Sequence, residues 1–276
     1  MINLFSISVL IRTFNSARTL GSVLAGMPLQ PGDQYLVVDS GSADDTLKIA
    51  RQHGAKIINA EGPFNYSKSL NLGFRAAINP WVLVISSHSI PVVADFMEIY
   101  RRNLVQFPED VVVGYAPATI TGKSTFEEEN EQTRYYTRDD YERVSGVCGN
   151  SNTIYRRRIW EELPFDENIR TAEDKIWLME IIKRGCRFAY IPQARTINRN
   201  QASLRYMFRK GYSDALTLRK PGHKPMKLYQ LGGALKNLAK KRVRGETDTS
   251  NWLRYSAHTF GQFFASYRRE DNTPWK

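Results

Sequence analysis

Strand-like runs and helix-spaced segments alternate through the first 90 residues, and that rhythm restricts the fold more than any other property of the chain. Ser6–Ile11, Tyr35–Val38, Ala55–Asn59 and Trp81–Ile85 are short, mostly apolar runs of the kind that enter a sheet. Between them lie helical stretches. One follows Asn15, runs to about Leu24 and is closed by Pro28; another, Asp44–His53, is stopped by Gly54; a third, Phe64–Ala77, carries Leu70, Phe74 and Ala77 at helical spacing. The alternation predicts an α/β fold, a doubly wound, mostly parallel sheet flanked by helices.

The pattern loosens further on. A helix (Val93–Phe107) leads to a strand (Val111–Tyr115), and Thr119–Arg143 turns polar, with the run Glu127-Glu128-Glu129 and no clear period. That stretch reads as a surface excursion or a mobile flap. Ser145–Tyr155 is strand-like, a helix starts near Thr171 and ends at Lys183-Arg184-Gly185, and Arg187–Pro192 is a further strand. The 276 residues have room for one large α/β domain, 1–200, and a mainly helical C-terminal extension, 201–276.

Composition removes several classes. A hydrophobic content of 42 % supports a packed core, and no apolar run approaches the roughly 20 residues of a membrane-spanning helix. Leu4–Ile11 lacks a basic leader and a cleavage site, so it reads as a strand rather than a signal peptide. Cys148 and Cys186 make neither a disulfide framework nor a metal spacing, which fits a reducing cytoplasm. The net charge of +11 is concentrated at one end. From Arg195 to Lys276 there are 18 Lys/Arg against 5 Asp/Glu, whereas the rest of the chain has 21 against 23. Tyr206, Phe208, Tyr212, Tyr229, Trp252, Phe260, Phe263 and Phe264 are interleaved with those cations. Packing of amphipathic helices is the first reading of this tail, and peripheral contact with anionic lipid the second. Base stacking comes third, and nucleic acid is not an expected partner.

Chemistry concentrates where strands end. Val37-Val38-Asp39-Ser40-Gly41 brings a carboxylate to the end of an apolar run, the place where ligands meet an open α/β sheet. Ser42 and Asp45 have the spacing of a helix capping box, which accounts for them structurally. Asp39 is different, because a charge at the end of a buried strand is costly without a partner.

Taken in order, these pieces resemble a family 2 glycosyltransferase with the GT-A fold, over roughly residues 6–200. ISVLIRTFN resembles the family's first strand and nucleotide-facing turn, and YLVVDSGSADDT its second strand with the base-reading aspartate. SKSLNLGFRAA is similar to its Asn-x-Gly helix. GNSNTIYRRRIW and FDENIRTAEDKIW resemble its acceptor-side loop and Glu-Asp pair. The resemblance implies that Thr13, Asn15, Asp39 and Asn71, with Ser86 and His88, hold a nucleoside-diphosphate sugar. It also implies that Glu173 and Asp174 form the catalytic pair. Asp174 would be the general base toward an acceptor hydroxyl, with inversion at the anomeric carbon.

The departures concern the cation. WVLVISSHSIP stands where the family's Asp-x-Asp usually ends the fourth strand, so Ser86 and His88 replace its two acids. Thr196-Ile197-Asn198 occupies the place of a later Val-x-His element. Mg²⁺ favours carboxylates plus phosphate, whereas His88 can hold a softer cation such as Mn²⁺ together with the diphosphate. His88 can equally bind the diphosphate directly, and Arg12, Arg199 and the tail's lysines can balance its charge without metal. Both readings stand at this level.

The bland readings are specific too. Thr171-Ala172-Glu173-Asp174 is itself a Thr-x-x-Asp capping box, His88 can be a satisfied structural histidine, and Asn71 can simply bond backbone. Trp160 and Trp177 read as core. The expectation is an inverting enzyme of polysaccharide biosynthesis, acting on a surface glycan or lipid-linked acceptor in the cytoplasm, at the inner face of the membrane. The rival is a degenerate GT-A scaffold that binds glycan or a partner without turnover. No glycine-rich loop follows the first strand, which disfavours a nucleotidyltransferase or dinucleotide oxidoreductase.

Overall fold

A computed structural model describes residues 6–119, 132–140, 149–169, 171–199, 203–217, 226–244, 247 and 249–267. The chain forms two compact units, one made of 1–168 with 173–200 and the other of 169–172 with 201–276.

The first unit begins with β1 (Ile7–Thr13), α1 (Ala17–Ala25), β2 (Gln34–Asp39), α2 (Thr46–Gln52), β3 (Lys56–Asn59), α3 (Tyr66–Ala76) and β4 (Trp81–Ser86). It continues with β5 (Ser89–Pro91), α4 (Phe96–Gln106), β6 (Val111–Tyr115), β7 (Ala118–Thr119), β8 (Arg134–Tyr136) and β9 (Asn152–Arg156). α5 (Arg157–Glu162), α6 (Glu173–Lys183), β10 (Arg187–Tyr190) and β11 (Thr196–Asn198) complete it. Eight strands form the main sheet in the order β3-β2-β1-β4-β9-β6-β10-β8. β9 runs antiparallel to both β4 and β6, and β8 antiparallel to β10; the other pairings are parallel. From β1 the chain steps outward to β2 and β3, then returns to β4 on β1's other side. That reversal places a crevice at the carboxyl ends of β1 and β4.

Both faces of the sheet are covered, which is why the central strands read as continuous apolar runs. Val9, Ile11, Val37, Leu83 and Ile85 pack with Leu20, Val23, Leu24, Phe96 and Tyr100 on one face. Leu10, Leu36, Val38, Val82 and Val84 pack with Leu70, Phe74, Trp160, Trp177 and Ile181 on the other. Helix α3 lies so close to β1 that a Cβ on Gly73 would stand 2.2 Å from a Leu10 methyl carbon.

Local expectations are corrected at several points. The Ser42–Asp45 capping box does not form, since the Asp45 side chain makes no cap bond. Asp44 does that work instead, accepting from the Thr46 amide and hydroxyl and from the Ala17 amide. Strand β8 arises inside the stretch expected to be a bare excursion and pairs with β10 at the sheet edge. The rest of that stretch, with Glu127–Glu129, falls largely outside the described residues, as does Cys148. Strands β5, β11 and β7 form a second, three-stranded sheet that sequence patterning does not show.

The second unit contains α7 (Leu204–Thr217), α8 (Leu228–Val243) and α9 (Thr249–Ser266). Helices α7 and α9 meet backbone to backbone. A Cβ on Gly211 would lie 2.1 Å from the His258 carbonyl oxygen, and one on Gly261 2.1 Å from that of Phe208. Asp214 of α7 takes hydrogen bonds from Thr171 and from Lys210 (2.9 Å), with His258 Nε2 at 3.4 Å. No helix among the described residues is long and apolar enough to cross a membrane.

Candidate active site

The carboxyl ends of β1 and β2 are tied together through Asp39, whose register partner is Thr13. Its carboxylate is buried and accepts four bonds: from the Thr13 hydroxyl (2.8 Å), the Ser42 hydroxyl (2.5 Å), and the amides of Gly41 (3.0 Å) and Ser42 (2.8 Å). This resolves the cost of a charge at the strand end, and it fills about four acceptor positions of a carboxylate. Asn15, at φ 46°, locks the same turns, donating its amide to Ser42 Oγ and accepting from the Ala43 amide, both at 2.8 Å. Thr13, Asn15 and Asp39 therefore belong to one interlocked pair of turns at the crevice.

Across the crevice, Arg12 of β1 is the register partner of Ser86 on β4. Ser87 bonds Ser16 hydroxyl to hydroxyl at 2.8 Å, and its carbonyl accepts from Thr19. The His88 carbonyl accepts from the Arg199 amide at 2.7 Å, and Asn198 pairs with Ser89. The segments Ser86–His88 and Thr196–Asn198 are thus neighbours in space.

The third wall is the start of α6. Asn150, just before β9, organises it. Its backbone amide donates to Asp174 Oδ2 (3.0 Å), its side-chain Nδ2 donates to Glu173 Oε1 (3.1 Å), and its Oδ1 accepts from the Tyr155 hydroxyl. The Thr-x-x-Asp capping box is not formed, because Thr171 donates to Asp214 and Asp174 bonds Asn150 and the Lys175 amide. With two bonds accepted, Asp174 keeps acceptor capacity. Glu173 is buried, and burial and the Asp174 charge raise its carboxyl above the ordinary value while Arg12 and Asn150 pull the other way.

Arg12 links these walls. Its Nη1 stands 3.6 Å from Glu173 Oε1, and its guanidinium carbon lies 4.9 Å from the centroid of the Tyr66 ring. Nη1 is buried with no hydrogen-bond partner. Burial, and then the Arg12 charge, lower the His88 pKa to about 4, so its imidazole is neutral near pH 7.

Asn71 does not join this group. Its Nδ2 donates to the Phe165 carbonyl and Glu167 Oε1, and its Oδ1 accepts from Trp160 Nε1 and the Phe165 amide. All four positions of the amide are used, so Asn71 holds the 160–167 segment against α3 and has none left for a diphosphate. Asn150 and the Tyr66 ring are the features sequence reasoning missed. The signal for Asn150 is its place in the Gly-Asn turn before a strand; Tyr66 leaves none.

A protein-held divalent cation is not matched by these side chains. Mg²⁺ asks for several hard oxygens, yet the β4 end offers hydroxyls and one imidazole, beside a guanidinium that repels a second cation. No three His, Cys, Asp or Glu side chains among the described residues converge on a metal position.

Comparison with known protein families matches residues 8–163 to Glycosyl transferase family 2, over half the chain. The chain belongs to that family. Among its relatives is the O-antigen chain rhamnosyltransferase RfbN of Salmonella typhimurium, 25 % identical over 68 % of this chain and 64 % of that protein. The chain thus spans just under two thirds of that relative's length. Similar solved structures share the GT-A fold. Glucosyl-3-phosphoglycerate synthase of Mycobacterium tuberculosis, bound to Mn²⁺, UDP and glucosyl-3-phosphoglycerate, has a TM-score of 0.60 at 18 % identity, covering 80 % of this chain and 83 % of that one. Staphylococcus aureus TarS with UDP-GlcNAc has a TM-score of 0.61 at 15 % identity, covering 95 % and 90 %. The family 2 match stops at residue 163, short of Glu173 and Asp174, and so does not cover that pair.

Proposed function

We propose that this family 2 protein transfers a sugar from a nucleoside-diphosphate donor to a hydroxyl of a surface glycan or lipid-linked intermediate, with inversion. The observation that carries the reading is the state of Asp174. It sits at the start of α6 beside Glu173, fixed by the Asn150 amide, and retains lone pairs for a proton. The acceptor O–H gives its proton to Asp174, and its oxygen bonds to the anomeric carbon. The C–O bond to the β-phosphate breaks on the opposite side, and its electron pair leaves with the nucleoside diphosphate. The Thr13–Asn15–Asp39 turns supply the nucleotide wall. Because Asp39 is already saturated, contact with a base or ribose comes from an exchange of the Ser42 or Thr13 hydroxyl, or from those hydroxyls themselves.

The RfbN likeness supports a role in polysaccharide assembly, and the basic extension supports action at the inner face of the membrane. Purified protein incubated with a panel of nucleotide sugars and glycan acceptors tests the reading by release of nucleoside diphosphate. The transferase releases it with at least one donor–acceptor pair. Glycan binding without release from any pair identifies the scaffold instead.

A further inference from the structure

We infer that Arg12, rather than a divalent cation, is the positive charge that receives the donor's diphosphate in this protein. The inference rests on the donor reading above and concerns how that donor is held. Four observations lead to it. Arg12, the next-to-last residue of β1, is in register with Ser86, at the reversal of strand order where ligands enter an open sheet. Its Nη1 is buried with every proton unmatched, although a buried guanidinium ordinarily has its donors paired. Glu173, at 3.6 Å, is beyond hydrogen-bond distance and so leaves those donors uncommitted. Finally, the residues of the β4 end and of β11, which meet at Ser89 and Asn198, contain no carboxylate.

The physical logic is a substitution of one cation for another. As the glycosidic C–O bond breaks, its electrons pass to the β-phosphate oxygen, and that charge must be met as it develops. A guanidinium presents donors in a planar fork suited to phosphate oxygens and stays protonated throughout. The Tyr66 ring under it and Glu173 beside it hold the fork in place.

Calorimetry on the full chain tests this with UDP, GDP and dTDP and their monophosphates, in EDTA and in excess Mn²⁺. The inference predicts that the best diphosphate binds in EDTA within about twofold of its Mn²⁺ affinity. It further predicts that Arg12→Gln weakens that diphosphate by about 10- to 100-fold and the matching monophosphate by less than about threefold. Because Arg12→Gln strands the Glu173 charge, Arg12→Gln/Glu173→Gln is measured beside it, and loss confined to the diphosphate in the double variant supports the same conclusion. Binding that appears only with Mn²⁺, or an Arg12→Gln affinity equal to wild type, overturns the inference while sparing the donor reading. Failure of every nucleotide to bind in either condition overturns both.

Discussion

The backbone amide of Asn150 donates to Asp174 Oδ2 at 3.0 Å, while the same residue's side chain holds Glu173 at 3.1 Å. One residue therefore sets the positions of both members of the acidic pair. The Tyr155 hydroxyl completes the arrangement by donating to Asn150 Oδ1.

Replacing Asn150 by Leu removes the bonds to Glu173 and Tyr155 but leaves the backbone bond to Asp174. Two buried polar groups then lose partners, and the protein is expected to lose about 2–4 kcal/mol of stability. Urea unfolding measures the loss. Stability unchanged within error would show that the side-chain bonds of Asn150 do not hold the pair.

Asn71→Leu separates a structural asparagine from a ligand-binding one. It strips Trp160 Nε1, the Phe165 amide and the Phe165 carbonyl of their shared partner, at a cost of about 2–4 kcal/mol. Nucleoside-diphosphate affinity, measured by calorimetry at a temperature where the variant is folded, is expected to stay within about twofold of wild type. A tenfold loss of affinity would return Asn71 to the binding site.

Much of the first unit is legible in the chain because its signals are local. The runs that become β1, β2 and β4 are apolar on both faces, and the Gly41 and Gly54 turns punctuate them. The small sheet is not legible, since Ser89–Pro91 and Thr196–Asn198 are three residues long and show no period. Capping boxes at Ser42–Asp45 and Thr171–Asp174 fit the local pattern, yet other partners win at both, one only three residues back and one 43 residues away. Ser42 is taken by Asp39, and Thr171 by Asp214. Asn71 shows the limit most clearly: its helix is readable, but its partners Trp160 and Phe165 lie 89 and 94 residues away.

The C-terminal unit is expected to depend on Gly211 and Gly261. Alanine at either position puts a methyl group about 2.1 Å from a carbonyl oxygen on the facing helix, so α7 and α9 must separate. Amide exchange in Leu204–Thr217 and Thr249–Ser266 should accelerate by about tenfold or more in Gly211→Ala. Unchanged protection would mean that the helix contact is not as close as described.

Acid should loosen the same unit through Asp214. Burial pushes its carboxyl up, but bonds from His258, Lys210 and Thr171 and the Lys210 charge outweigh burial and hold it at about 2. A lowered folded-state value means that the stabilisation is complete above the ordinary value of 3.8 and is lost as pH falls through about 2. Its size is about 2 kcal/mol. Asp214→Asn should abolish this pH dependence between about 4 and 2 in urea unfolding of the helical unit. A variant with the wild-type acid limb would remove Asp214 from that role.

The most direct measurement is the transfer rate and the nucleoside-diphosphate affinity of Asp174→Asn, with the donor and acceptor that support release by wild type. Asparagine can keep a bond to the Asn150 amide but cannot take the acceptor's proton. The account predicts a rate lower by about 10²- to 10⁴-fold, with affinity for the nucleoside diphosphate within about threefold. A variant that transfers sugar within about tenfold of the wild-type rate would contradict it.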